Sequence, residues 1–377
     1  MITFNKPFII GKELEYIKQA VESGKISGDG MFTQKCHEFF ESKYGFKKVL
    51  LTSSCTDALE MTALLMDIQP GDEVIVPSFA FVSTANAYAL RGANIIFCDV
   101  DPRTFNIDPK EIESLITSKT KAIVVIHYAG IGCKMDEIMA ISHRHNIFVV
   151  EDAALAIDSF YKGKPLGSFG HFATYSFHET KNIIAGEGGA LIINDESFIE
   201  RAEIIREKGT NRSKFFRKEI NKYEWVDLGS SFLPSEITAA FLFAQLENLD
   251  KIQKKRIYLW EHYYNELLPL EQKGKITLPT IPDNTTVNGQ LFYILCNSPH
   301  ERTELLEFLR SKEIISVFHY LPLHLSPYYK EKYKGKALPI SEKISELILR
   351  LPLFYPLEKE QQNFVIKCIF EFYNKRK

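Results

Sequence analysis

The chain has 377 residues, 45% of them hydrophobic and 25% charged, with a formal net charge of -2 at pH 7. That length exceeds one small core, so two lobes in one compact body are expected, and the near-neutral charge gives no reason to expect nucleic acid or an anionic membrane as partner. No stretch approaches the roughly 18–20 apolar residues that span a bilayer, and Met1–Phe8 lacks the charged-then-apolar layout of a secretory signal. Six cysteines, at 36, 55, 98, 133, 296 and 368, form no CxxC pair. This argues against a zinc site or a disulfide framework and for a reducing cytoplasm.

From residue 50 to 194, short apolar runs alternate with amphipathic stretches. Thr52–Thr56 leads into a helical run, Asp57–Met66. Glu73–Val76, Asn94–Cys98, Lys121–Ile126 and Ile147–Val150 read as buried strands. Helices are expected between them at 83–91, closed by Gly92, at 108–117, opened by Asp108-Pro109, and at 134–145. Tyr175–Phe177 enters as a further strand, Gly186–Gly189 turns the chain, and Gly189–Asn194 is one more strand. This alternation predicts an α/β fold with a mostly parallel sheet covered on both faces. Beyond it come a charged helix (195–208), a polar, aromatic-studded loop through Trp225, and a long helix from Pro234 to about 267, with proline in its first turn. The remainder mixes strands (Gln290–Leu295, Ile314–Val317) with helices (300–312, 358–375), an α+β pattern. The chain therefore divides into a large domain, 1–250, and a smaller C-terminal domain, 251–377.

Lys181 lies between the aromatic strand and the glycine turn, and Asp152 ends the apolar run that begins at Ile147. In open α/β sheets ligands gather at the carboxyl ends of strands. A sheltered lysine and a strand-end carboxylate are what pyridoxal phosphate chemistry requires: an amine to condense with the aldehyde and an acid to hold the pyridine nitrogen protonated. The phosphate needs backbone donors at a helix start, which Ser54, Cys55 and Thr56 supply, with Ser176 as a further hydroxyl. Simple N-capping is the competing reading of that segment. Phe81, after another strand, is the candidate to stack on the ring. His178 is open to an acid–base or a donor role.

Taken together, these segments resemble the sugar-nucleotide aminotransferases of the DegT type, within the fold-type-I pyridoxal phosphate enzymes. The carriers are Gly71–Phe79 with Phe81, Glu151-Asp-Ala-Ala154, Ser176-Phe-His-Glu-Thr-Lys181, Gly186-Glu-Gly-Gly189 and His319-Tyr-Leu-Pro-Leu-His324. The resemblance spans nearly the whole chain. It implies Lys181 as the Schiff-base lysine, Asp152 as the pyridinium partner, Phe81 as the stacking ring, and Ser54, Cys55, Thr56 and Ser176 as the phosphate cup. It also implies a homodimer whose sites are completed by a crossover loop near Gly229–Ser231. Ser176–Asn182 and Glu207–Ser213 are most similar to the transaminases that form dTDP-4-amino-4,6-dideoxygalactose. That implies glutamate as donor, dTDP-4-keto-6-deoxyglucose as acceptor and pyridoxamine phosphate as intermediate. Arg212, His319, Tyr320 and His324 are the candidate contacts to sugar or diphosphate. Two departures stand out. Leu155 occupies a position where many relatives carry glutamine, and Ser231 and Leu233 stand where they often carry asparagine and arginine.

A 3-keto sugar aminotransferase would use the same residues. A sugar dehydratase of this fold replaces the anchoring lysine with histidine, which Lys181 argues against. A regulatory protein that keeps the cofactor has less need of the whole Asp152–Lys181 set. A dinucleotide-binding module fails because Gly186–Gly189 lacks the GxGxxG spacing.

Overall fold

The computed structural model describes residues 1–376. Its strands, in chain order, are β1 (Lys48–Thr52), β2 (Glu73–Pro77), β3 (Asn94–Cys98), β4 (Thr120–Ile126), β5 (Phe148–Asp152), the short pair β6 (Phe160–Tyr161) and β7 (Lys164–Pro165), β8 (Phe172–Ser176), β9 (Gly189–Ile193), β10 (Phe292–Leu295) and β11 (Ile348–Leu351). The main sheet has the order β1-β9-β8-β5-β4-β2-β3, and β9 runs antiparallel to both its neighbours.

Side-chain alternation explains why these apolar runs are strands rather than helix segments. Val49, Leu51, Ile75, Ile123, Val149 and Ile192 join one core with the helices Met31–Tyr44, Met135–His145 and Glu236–Leu246. Their neighbours Leu50, Val74, Val76, Val124, Val150 and Leu191 join another with the helices Cys55–Leu65, Ser83–Ala89 and Ile199–Arg206. A period of two with both faces apolar fits a sheet sandwiched between helical layers.

Register fixes which ends meet. Thr52 and Ser176 both pair with Gly189, Asp152 pairs with Thr174, and Ile126 pairs with Asp152. The carboxyl ends of β1, β4, β5 and β8 therefore lie along one edge of the sheet, with the start of the reversed β9 among them. A further apolar cluster, including Leu259, Tyr263, Phe292, Ile294, Leu309 and Ile369, gathers β10 and β11 with the helices Leu249–Gln272, Pro299–Ser311 and Lys359–Lys375.

Two expectations differ from the structure. The long helix from Pro234 is two helices, Glu236–Leu246 and Leu249–Gln272. Asn248 separates them, its amide turned back onto the Ala244 carbonyl at 2.9 Å, a local bond that competes with helix continuation. Ile314–Val317 forms isolated bridges to Ile2 and Arg350 rather than a strand. The backbone of Ile2 takes the hydrogen bonds on either side of Ile314, and β11 is the strand that pairs with β10.

Gly189 marks the tightest approach at the sheet edge. A Cβ there would lie 2.4 Å from the Cys55 nitrogen and 2.4 Å from the Ser54 carbonyl carbon. Gly189→Ala is expected to push the start of helix Cys55–Leu65 off the sheet and cost about 1–3 kcal/mol. Urea denaturation checks this, and an unchanged midpoint would mean that the approach is slack in solution.

Candidate active site

A cavity of 520 Å³ opens at the carboxyl edge of the sheet. Asp152 reaches it from the end of β5, and Lys181 reaches it from the turn between β8 and β9. Asp152 is 6% exposed. Its Oδ2 accepts from the Thr84 hydroxyl at 2.7 Å and its Oδ1 from the Ala154 N–H at 3.2 Å. Burial pushes its carboxyl above the ordinary range, and those two donors, with Lys181 and His127 beyond them, pull it back.

The turn that carries Lys181 is held by its flanks. Ile183 and Ile184 are buried in the core, the Ala185 N–H returns to the Phe177 carbonyl at 2.7 Å, and the Lys181 N–H bonds the His178 carbonyl at 2.9 Å. Desolvation lowers the Lys181 amine below the usual lysine value. Asp152 opposes that shift, and the Arg350 guanidinium adds to it.

Ser54, Cys55 and Thr56 line the same cavity at the start of helix Cys55–Leu65. Ser54 is its N-cap, its Oγ accepting from the Asp57 N–H at 3.0 Å. The N–H groups of Cys55 and Thr56 precede the first intrahelical bond and have no helical carbonyl to meet. The Thr56 hydroxyl lies 2.8 Å from that of Ser83. Burial pushes the Cys55 thiol up to about 12, so it is a neutral wall group. Ser176 faces the cavity from the end of β8, and Leu155 adds an aliphatic wall without the amide that glutamine would bring.

Phe81, His178, His319 and Tyr320 also line the cavity. Phe81 is 55% exposed, its ring 6.0 Å from that of Tyr320. His178 Nδ1 lies 2.9 Å from the Thr180 hydroxyl, and its Nε2 is 3.7 Å from Glu187. His319 is stacked on Tyr320 with centroids 4.0 Å apart. Its Nδ1 accepts from Arg350 Nη1 at 2.8 Å, and burial beside that guanidinium lowers its value to about 2, which keeps the ring neutral.

Three of the expected site residues lie elsewhere. His324 is 2% exposed and lies outside the cavity lining, with Nδ1 2.7 Å from the Ser78 hydroxyl and Nε2 3.2 Å from Glu342. Arg212 pairs with Glu207 at 3.8 Å and lies over the rings of Phe216 and Tyr223, outside this cavity. Ser231 is exposed and bridges to Glu207. Conversely, Thr84, Gln290, Phe4 and Arg350 line the cavity without having been singled out. Arg350 had a signal: it is the one charge in Leu347–Leu351, an otherwise apolar run. Thr84 had none, being one of several hydroxyls in its segment.

The fold and this edge of the sheet define a fold-type-I pyridoxal phosphate-dependent transferase. Residues 7–370 match the DegT/DnrJ/EryC1/StrS aminotransferase family. GDP-perosamine synthase of Escherichia coli O157:H7 is 33% identical over 373 residues, covering 98% of this chain and 98% of that protein. A protein of Geobacillus stearothermophilus named pleiotropic regulatory protein is 38% identical over 323 residues, covering 84% and 83%. The sugar aminotransferase Spr1654 of Streptococcus pneumoniae, in its PMP form, superposes with a TM-score of 0.92 at 25% identity over 100% of both chains. The chain belongs to the DegT/DnrJ/EryC1/StrS aminotransferase family, whose cofactor is pyridoxal 5′-phosphate.

The lowered Lys181 value has a consequence for stability. A base whose folded value lies below its unfolded one destabilises the folded state while protonated. Stability should therefore rise with pH through the folded value and level off near 10.5. Cofactor-free Lys181→Met is expected to be more stable than the parent at pH 7, with the gap closing toward pH 10.5. Thermal melts across that range test the sign, and a variant that melts lower at pH 7 would contradict it.

Proposed function

We propose that the protein moves the amino group of glutamate onto a nucleotide-linked 4-keto-6-deoxy sugar. The acceptor is dTDP-4-keto-6-deoxyglucose and the product dTDP-4-amino-4,6-dideoxygalactose, a sugar for cell-surface polysaccharide such as the O-antigen of lipopolysaccharide. The observation that carries the reading is the meeting of Lys181 and Asp152 on one cavity, beside a helix start with free N–H groups.

The donor set fits the cofactor: a buried carboxylate, a desolvated amine, and hydroxyls and amides at the positive end of a helix for an anion. Asp152 would hold the pyridine nitrogen, Phe81 would cover the ring, and Ser54, Cys55, Thr56 and Ser176 would take the phosphate. Bound there, pyridoxal phosphate supplies an electron-withdrawing ring that accepts an amino group from the donor and yields it to a keto acceptor. Lys181 Nζ moves the proton at the donor's α-carbon and, in the return half, at C4 of the sugar. Its depressed basicity keeps more of the free amine at neutral pH. His178, steadied by Thr180, is the further polar group at the cavity. The neutral His319 and Tyr320 form the acceptor's wall. A purely regulatory role would leave the desolvated lysine without a task.

The working form is a cytoplasmic homodimer. Ser231, exposed, and Arg212, half-buried, lie outside the cavity of their own protomer and belong to a loop that completes the partner's site. The chain divides near residue 250, because helix Leu249–Gln272 gives Leu249 and Ile252 to the sheet's core and the side chains from Leu259 onward to the second core.

Incubation with glutamate and a panel of 4-keto and 3-keto sugars on dTDP, UDP and GDP, with products read by NMR, tests the proposal. Amination at C4 of the dTDP sugar is expected, and Lys181→Ala should lower turnover by about a thousandfold or more. Amination at C3, or no consumption of glutamate with any of these sugars, would overturn it.

A further inference from the structure

Lys181 sits on a turn whose two flanks are gripped by buried amides, of which Gln290 alone lines the cavity. Asn182 is fully buried, and its Nδ2 donates to Gln253 Oε1 at 2.8 Å and to the Asn288 carbonyl at 2.8 Å. On the other flank the Thr180 carbonyl accepts from Gln290 Nε2 at 3.2 Å. Asn288, also fully buried, spends its Nδ2 on the carbonyls of Leu155 and Ile157, both at 2.9 Å, and its Oδ1 accepts from the Gln290 N–H at 3.0 Å. Gln253 Nε2 reaches the Ile157 carbonyl at 3.4 Å. Leu155 and Ile157 belong to the segment that leaves Asp152. One set of amides thus joins the turn of Lys181 to the strand end of Asp152.

Two features make this set a fixture rather than loose packing. A Cβ on Gly130 would fall 2.3 Å from Asn288 Oδ1, so the amide has no room to shift. Among the described residues Asn182 Oδ1 has no partner, so its amide is held from the donor side alone. Losing the Gln253 acceptor would leave half of that grip unmade in a buried place, where an unmet donor is costly.

We propose that Gln253, acting with Asn182 and Asn288, is a positioning residue that sets the turn of Lys181 against the strand end of Asp152. The inference rests on the reading that Lys181 carries the transfer. Gln253 lies on helix Leu249–Gln272 and touches neither the cavity nor the amine, so it acts through Asn182. The charged and titratable groups on the walls around Lys181 are Cys55, Asp152, His178, Glu187, His319, Tyr320 and Arg350. None belongs to the amide set, so a change in Lys181 reactivity on altering that set reports position rather than charge.

The test uses Gln253→Met, which keeps volume and removes the acceptor, and Asn182→Leu, which removes the donor. The first readout is competitive acetylation of Lys181 against surface lysines across pH in the full chain, by mass spectrometry. The second is kcat and KM of the holoenzyme with glutamate and keto sugar. Gln253→Met is expected to lower kcat by about tenfold or more with KM within about twofold, and to move the Lys181 acetylation profile toward that of a surface lysine. Asn182→Leu, which also loses the bond to the Asn288 carbonyl, should show both effects at least as strongly, and the double variant should cost less than the sum of the two, because the Asn182–Gln253 bond is lost in each. A folded Gln253→Met with the parent's acetylation profile and kcat would overturn the inference while leaving the functional reading intact. A parent Lys181 that acetylates like a surface lysine would sink the functional reading itself. Penalties in the double variant that simply add would also refute the shared bond.

Discussion

Taking Asp152 and Lys181 out of water raises one group's affinity for its proton and lowers the other's, and both shifts cost folding free energy. The surrounding architecture acts to contain that cost. Thr84 and the Ala154 N–H favour the carboxylate, and each group favours the charged form of the other. The desolvation that remains leaves the amine readier to lose its proton than a surface lysine would be. Reactivity and instability here have the same origin, so this edge of the sheet is where the fold gives up stability.

The sheet's topology makes the meeting possible. Parallel strands bring several carboxyl ends to one edge, and the reversed strand β9 starts at that edge, so the turn between β8 and β9 that carries Lys181 stays there. Glycine at the start of β9 then lets the strand run against the first turn of helix Cys55–Leu65, so a helix N-terminus, a lysine and an aspartate share one space. Glu151, next to Asp152 but on the opposite face, has a different task. It is fully buried and accepts from the N–H groups of Gly167, Phe169 and Gly170 as well as pairing with His127. It thereby locks the loop before β8. Adjacent carboxylates on one strand point to opposite faces, and here one serves the cavity and the other the scaffold.

Most of the large sheet was legible in the sequence because its strands are short apolar runs, several of them closed by proline or aspartate, as at Pro77, Asp99 and Asp152. Lys181, Asp152 and the helix start were legible because they sit at the ends of such runs. What escaped depends on distant partners. Thr84 matters only because helix Ser83–Ala89 sets it beside Asp152, 68 residues away in sequence. His324 looked like a cavity residue, but Ser78 and Glu342, neither near it in sequence, hold it inside. Ile314–Val317 has strand composition, but Ile2 supplies its backbone bonds. The split at Asn248 turns on a side chain's choice between solvent and its own helix. Ser231 and Arg212 lie outside the cavity, each in contact with Glu207.

The most direct measurement is a crystal structure grown with pyridoxal phosphate. The account predicts continuous density from Lys181 Nζ to the cofactor, with the pyridine nitrogen on the Asp152 carboxylate and the phosphate at the N–H groups of Cys55 and Thr56. An empty cavity, or a cofactor bound with its nitrogen away from Asp152 and no bond to Lys181, would contradict it.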